Sequence, residues 1–348
     1  MKKALVLVLT LAMVLSVAIV ASAATTTVGG NVRVWYINAD NNDNLDNTFK
    51  FDRFALDVKS DLGDGASLFT EIQGRNTNKT KNTETQFFVD KAYFAQTNLL
   101  LEGSTFMVGA FDGDIPFKNG YSNVILSGGI GDGIKIGQAV GVIYKYKTDL
   151  FNIGVGVCNA NQGFAKNVDN TDMAGYSWST RFELTPVAGL NVGVGYASWN
   201  DVVKKQNLDI DADNDKITWP SDDSSIPNQI RYVVDASYQN LDVTPVSGKV
   251  EWGKVDYKSD STEDVDAYYA ELGYTFADRK AVAYVGHGDG DIYGSVIKSS
   301  MGAFAINDDN YTVAGLKYAL TGNIALQGEY ATVDSDNYGY GIRLMVSF

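Results

Sequence analysis

Cysteine and histidine are almost absent from this chain, which carries one of each, Cys158 and His287. One cysteine excludes an internal disulfide. One histidine, without a recognisable partner pattern around it, leaves Ser–His hydrolysis and a zinc centre without support. Neither a phosphate-binding loop nor a dinucleotide fingerprint occurs, and the spacing of the carboxylates singles out no pair for glycoside cleavage. Basic residues are also in short supply. Against 42 Asp and Glu stand 28 Lys and Arg, a net charge of −14, which does not suit nucleic acid or an anionic surface. Long apolar runs are missing after residue 23, and stretches such as 139–144 are far too short for a membrane helix. No catalytic residue, metal site or resident cofactor is expected.

The one long apolar stretch lies at the start. Lys2 and Lys3 precede residues 4–20, which are apolar apart from Thr10 and Ser16, and Ala21-Ser22-Ala23 forms a small-x-small cleavage site. This pattern predicts a secretory signal over 1–23 and a mature chain over 24–348. No cysteine follows a lipobox, so a lipid anchor is not expected.

What is plentiful is glycine (35), tyrosine (20) and phenylalanine (16), with only 5 prolines to interrupt strands. Residues 338–348 show how they are used. Tyr338, Tyr340, Ile342, Leu344, Val346 and Phe348 alternate with Gly339, Gly341, Arg343, Met345 and Ser347. Alternate side chains on a strand point to opposite faces, so one face is apolar throughout and the other is small or polar with one methionine. A tilted strand of roughly 9–11 residues crosses a bilayer. Similar alternation recurs over 27–37, 49–59, 66–74, 85–96, 104–111, 139–147, 150–157 and 174–184. It continues over 190–199, 229–239, 248–257, 267–276, 280–287, 311–320, 323–333 and 338–348. The phase is poor at 49–54 and 87–91, where a bulge or a subunit contact is expected.

These are sixteen strands, the even number that a single-chain barrel with both termini on one side requires. The connections fall into two kinds. Residues 60–65, 148–149, 185–189, 277–279 and 321–322 are short. Residues 38–48, 112–138, 158–173, 200–228, 258–266 and 288–310 are longer and mostly acidic. The predicted fold is all-β: a transmembrane antiparallel barrel of sixteen strands, with short periplasmic turns and long extracellular loops.

Residues 53–73 (RFALDVKSDLGDGASLFTEIQ) resemble the second and third strands of Gram-negative general porins, with their acidic-Leu-Gly-x-Gly turn. Residues 90–120 resemble the following part of that family, where an F-D-x-P-F-like segment opens the third outer loop. The aromatic Phe348 closing the last strand resembles the C-terminal assembly signal of outer-membrane barrels, here Tyr340, Ile342, Leu344, Val346 and Phe348. The resemblance implies a homotrimeric outer-membrane channel, inserted by the barrel-assembly machinery, through which small hydrophilic solutes and ions diffuse passively. Two other uses of such a barrel are a solute-specific channel and a plugged barrel serving as adhesin or envelope tether.

The resemblance also implies a constriction. A sixteen-strand lumen is too wide to sieve by itself, and in these porins the third loop folds inward. Here that loop is 112–138, with Asp112, Asp114, Lys118, Asp132 and Lys135 as candidate charges. With the apolar face outward, the lumen wall receives Arg33, Arg53, Lys91, Arg181, Arg231 and Arg343 beside Glu71, Asp235 and Glu329. Lys145, Lys249, Lys317, Asp57, Glu183, Glu251 and Glu271 share that face. Opposed wall and loop charges give a modest ion preference. The sequence departs from many relatives at Ala110, which stands where a basic residue follows the Gly109 position. Inward Trp35, Phe69, Trp199 and Tyr269 are candidates for an aromatic path for solute. The run Asp209-x-Asp211-x-Asp213-x-Asp215 resembles the start of a calcium loop. Asn214 and Pro220 stand where that loop needs Gly and Glu, so only loose binding of divalent cations by the acidic loops is expected.

Overall fold

A computed structural model describes residues 25–39, 48–76, 85–112, 138–159, 176–199, 202–203, 209–211, 216–218, 225–226, 229–258, 264–290, 310–332 and 338–348. Nine strands come first: β1 (Thr25–Ala39), β2 (Thr48–Gly63), β3 (Ala66–Asn76), β4 (Thr85–Thr97), β5 (Ser104–Asp112), β6 (Gln138–Lys147), β7 (Phe151–Asn159), β8 (Tyr176–Val187) and β9 (Leu190–Trp199). Four short strands follow: β10 (Val202–Val203), β11 (Asp209–Asp211), β12 (Lys216–Thr218) and β13 (Ser225–Ile226). The chain then continues through β14 (Gln229–Gln239), β15 (Val246–Tyr257), β16 (Val265–Phe276), β17 (Ala281–Asp289), β18 (Asn310–Ala319), β19 (Ile324–Thr332) and β20 (Tyr338–Ser347).

Strands β1–β9 and β14–β20 form one closed barrel of sixteen strands, each antiparallel to its sequence neighbours. The ring closes where β1 pairs with β20, from Asn31 opposite Ser347 to Ala39 opposite Gly339. Phe348 adds one more rung, since its N–H donates to Gly30 O at 3.1 Å and Gly30 N–H donates to Phe348 O at 2.9 Å. At this end of the barrel lie the short turns. Asp61 Oδ1 accepts from Gly63 N at 2.9 Å to initiate one of them, and Thr148 Oγ1 accepts from Phe151 N at 3.0 Å in another. The strand ends bordering the longer connections all lie at the other end.

The two stretches of poor alternation are bulges. Between Arg33 and Val34 the β1–β2 register passes over Asp52, and between Glu71 and Ile72 the β3–β4 register passes over Asp90. An extra residue restores the apolar phase on the far side of each. Strand ends differ from the sequence reading most at β2, which runs to Gly63 instead of stopping at residue 59. The ladder there continues past the apolar belt through polar Ser60 and Asp61 into a tight turn. The acidic run in 200–228 also differs from a loop, because β11 pairs with β12, Asp209 opposite Thr218 and Asp211 opposite Lys216. An extended, paired backbone at Asp209–Asp211 is not that of a helix–loop–helix calcium site.

Burial is inverted relative to a water-soluble sheet. On β14, Val234 is 45% exposed while its neighbour Asp235 is 2% exposed. The same inversion holds at Val250, Leu272, Val285, Leu316, Ile342 and Leu344, which are exposed on the outer face. An apolar outside and a polar inside is the pattern for strands whose outer solvent is lipid. Among the described residues no helix is long and apolar enough to cross a membrane, so any crossing is made by strands.

Candidate functional site: the lumen wall

Strand parity places the wall candidates on the inner face, opposite the exposed aliphatic belt, and cross-strand pairing then sorts them into groups. Around β2–β4 the centre is Glu71, 5% exposed. It accepts from Arg53 Nη2 and Gln73 Nε2, and Lys91 Nζ lies 3.4 Å from its other oxygen. Gln73 also donates to Asp90, the bulge residue, so the bulge supplies an acceptor that a regular strand would turn away. Arg33 faces Arg53 across the β1–β2 rung, putting two cations side by side.

The next group straddles the closing seam. The Arg343 guanidinium lies 5.4 Å over the Trp35 ring and donates from Nη2 to Gln327 Oε1 at 2.9 Å. Gln327 Nε2 donates to Tyr284 Oη at 2.6 Å, and Tyr284 in turn donates to Glu329. Lys317 sits opposite Gln327 on the neighbouring strand.

On the far side of the ring charges of opposite sign pair directly. Arg181 on β8 donates to both oxygens of Asp235 on β14, at 2.6 and 2.8 Å, and from Nη2 to Glu183 at 3.1 Å. Such a bidentate pair fixes geometry as well as charge. Asp235 lies opposite Glu251, which pairs with Lys249 at 2.6 Å, and Lys249 lies opposite Glu271. Arg231 is buried and donates from Nε to Gln229 Oε1 at 2.8 Å.

One sector of the wall carries little charge. Met107, Phe111 and Ile143 form a buried cluster on β5 and β6, with Tyr93 and Ala95 of β4 packed against it. Phe111 stands one residue before Asp112, at the root of the third connection at that end of the barrel, after those between β1 and β2 and between β3 and β4. Asp114, Lys118, Asp132 and Lys135 lie outside the described residues, as does the side chain of Asp112.

The aromatic candidates are dispersed. Trp35 is at the seam, Phe69 stacks on Tyr93 at 5.1 Å, and Tyr269 stacks on Tyr311 at 6.4 Å. The Trp199 side chain lies outside the described residues. Of the assembly residues, Tyr340, Ile342, Leu344 and Phe348 are exposed on the outer face and Val346 is half-buried beside them. His287 is also on the outer face, with Nδ1 2.9 Å from Thr312 Oγ1. Among the described residues no group of three or more His, Cys, Asp or Glu is placed to hold a metal ion.

Parity reasoning missed the neutral members of these networks: Gln73, Tyr284, Gln327 and Tyr311. It also missed the role of lumen-facing glycines. Their signal was present in sequence as glycines at alternate positions, Gly193/Gly195 and Gly286/Gly288, on the face that elsewhere bears charge.

The model for a family described as Gram-negative porin matches residues 9–338. No curated protein matches the chain by sequence. Among solved structures, the in-vitro folded OmpT of Vibrio cholerae, an outer membrane protein in a trimer form, is 15% identical with a TM-score of 0.61, covering 94% of this chain and 100% of that one. The outer membrane channel DcaP of Acinetobacter baumannii is 13% identical with a TM-score of 0.58, covering 94% and 98%. An anion-selective porin from Comamonas acidovorans is 15% identical with a TM-score of 0.57, covering 93% and 100%. With its apolar outside, its charge-lined interior and a family match across most of its length, the chain belongs to the Gram-negative porins and is an outer-membrane diffusion channel.

Proposed function

We propose that this protein passes small hydrophilic solutes and ions through a water-filled lumen without catalysis or a resident cofactor, and that three copies assemble as a homotrimer. Residues 1–23 act as a cleaved signal, and residues 24–348 form the mature barrel. The barrel-assembly machinery reads the strand ending at Phe348, and the short turns face the periplasm. The trimer form of the Vibrio cholerae protein, similar in fold, supports the oligomeric state.

The observation that carries this reading is the inner wall itself, where charged side chains recur on β1–β4, β8, β14–β16 and β18–β20, with an apolar sector on β5 and β6. That sector, Met107, Phe111 and Ile143, supports an inward-folded third connection, because an apolar, buried patch on a charged wall needs a covering segment and residue 112 begins one. In this reading Asp112, Asp114, Lys118, Asp132 and Lys135 meet the wall charges Arg33, Arg53, Lys91 and Arg343 across the narrowest point. The resulting ion preference is modest, since acids and bases of the wall are nearly balanced. Acidic outer connections bind divalent cations loosely.

The test is conductance of the detergent-purified mature protein in a planar bilayer under a salt gradient. Large steps in threes support an open trimer, and the reversal potential gives the preferred ion. Silence from folded barrels would refute the channel and favour a plugged, structural barrel.

A further inference from the structure

Three lumen-facing side chains lie flat across a neighbouring strand instead of standing up from their own. Tyr284 on β17 crosses Gly315 on β18 to reach Glu329 on β19, and these three positions are direct neighbours along one rung. A Cβ on Gly315 would fall 2.6 Å from Tyr284 Cε2, closer than real Cβ contacts come. Arg181 on β8 crosses Gly193 on β9 to reach Asp235 on β14, and a Cβ on Gly193 would fall 2.6 Å from Arg181 Cζ. Tyr269 on β16 leans over Gly286 on β17, where a Cβ would meet its Oη at 2.8 Å. In each case the glycine leaves bare backbone on which the crossing side chain rests.

This has a direct consequence for the lumen. A tyrosine or arginine standing upright from a barrel wall occupies the space through which solute moves. Laid against the wall, the same side chain only thickens the lining. Burial agrees with the flat pose, since Tyr269, Tyr284 and Arg181 are each at most 5% exposed although all face inward. Gly328 on β19 marks the contrast. It faces outward beside Tyr330, and a Cβ there would meet nothing within 4 Å.

We propose that Gly193, Gly286 and Gly315 set the bore of the channel by holding Arg181, Tyr269 and Tyr284 against the wall. They are positioning residues, acting on permeation through the side chains they admit. This inference rests on the channel reading above. A methyl group at Gly315 must push the Tyr284 ring off the wall and towards the lumen axis, so unit conductance falls and larger solutes are excluded first.

The experiment compares single-channel conductance of the wild-type protein with Gly315→Ala, with Gly315→Ala combined with Tyr284→Ala, and with Gly328→Ala. The expected result is a loss in Gly315→Ala, recovery to the wild-type level or above in the double variant, and no change in Gly328→Ala. A merely structural role for the glycine would not be rescued by deleting the ring. Wild-type conductance in Gly315→Ala, or a double variant as low as the single, would overturn the proposal. Gly193→Ala with and without Arg181→Ala repeats the test with a different side chain, and decides it if the Gly315 variants do not assemble. A silent wild-type barrel would instead overturn the channel reading itself.

Discussion

The seam where β20 meets β1 and the wall eight strands away at β8, β9 and β14 solve the problem of lining a lumen with charge in different ways. On the far wall opposite charges pair directly, Arg181 with Asp235 and Lys249 with Glu251, all nearly buried. At the seam Arg33 and Arg53 face each other, and Arg343 is held by an aromatic face and a neutral amide. Closure there comes from backbone rungs, the last of them at Phe348. The far wall therefore spends its charges on one another and contributes rigidity. The seam sets Arg33 beside Arg53 on one rung, and the ion preference is expected to respond most to substitution there.

The comparison can be broken at several points. The largest effect is expected from Phe348→Ser, which keeps the backbone rung to Gly30 but removes the terminal aromatic that the barrel-assembly machinery is proposed to read. Folded barrel in outer-membrane fractions should drop severely, and normal levels would show that assembly does not depend on that ring. Next comes Asp235→Ala, which strands a buried guanidinium and should cost about 3–5 kcal/mol of unfolding free energy and lower the midpoint, towards the lower end because Glu183 remains at hand. An unchanged midpoint would mean that the far wall is not held by its pairs.

Tyr284→Phe keeps the ring and removes both the charge-assisted hydrogen bond to Glu329 and the one accepted from Gln327, a loss of about 2 kcal/mol measured by denaturant titration. Arg33→Ser sharpens the other half of the comparison. The reversal potential should shift towards cations, and a shift of equal size from Lys249→Ser would erase the distinction between seam and far wall. The smallest effect is expected at the rim. The Asp264 carboxyl, outside the strands, is held below its ordinary range by the Tyr257 backbone N–H and then by Lys254. Its folded pKa is depressed, so its contribution is present above the usual carboxylate value and fades as pH falls through the lowered one. Because the group is fully exposed, Asp264→Asn should differ from wild type only slightly at neutral pH, and the two should converge in acid.

Much of this was legible in sequence for a simple reason. Parity is a local property, so Tyr340, Ile342 and Leu344 declared the outer face, and the charges between apolar residues declared the inner one. Even the poor phase at 49–54 and 87–91 was informative, since each marks a bulge, at Asp52 and Asp90. Partnership was not legible. Whether Arg181 stands or lies flat depends on Gly193 and Asp235, which belong to other strands, and their alignment depends on register across two ladders. The sequence reading placed Arg181 and Asp235 on the same wall without assigning them to each other, and the structure pairs them. Asp114, Lys118, Asp132 and Lys135 were identified by family position alone, because nothing local distinguishes an inward-folding loop from one that stays outside.

The rung between Phe348 and Gly30 also imposes an order of events. It joins residues separated by nearly the whole chain, so the ring cannot close until the last strand is available, and the entropic cost of bringing the ends together is met late. Until then β1 and β19 each present an open edge that can pair with any other strand. A chain cut short before β20 is consequently not a slightly smaller channel but a sheet with two adhesive borders. Completion of the ring is the step that removes both borders at once.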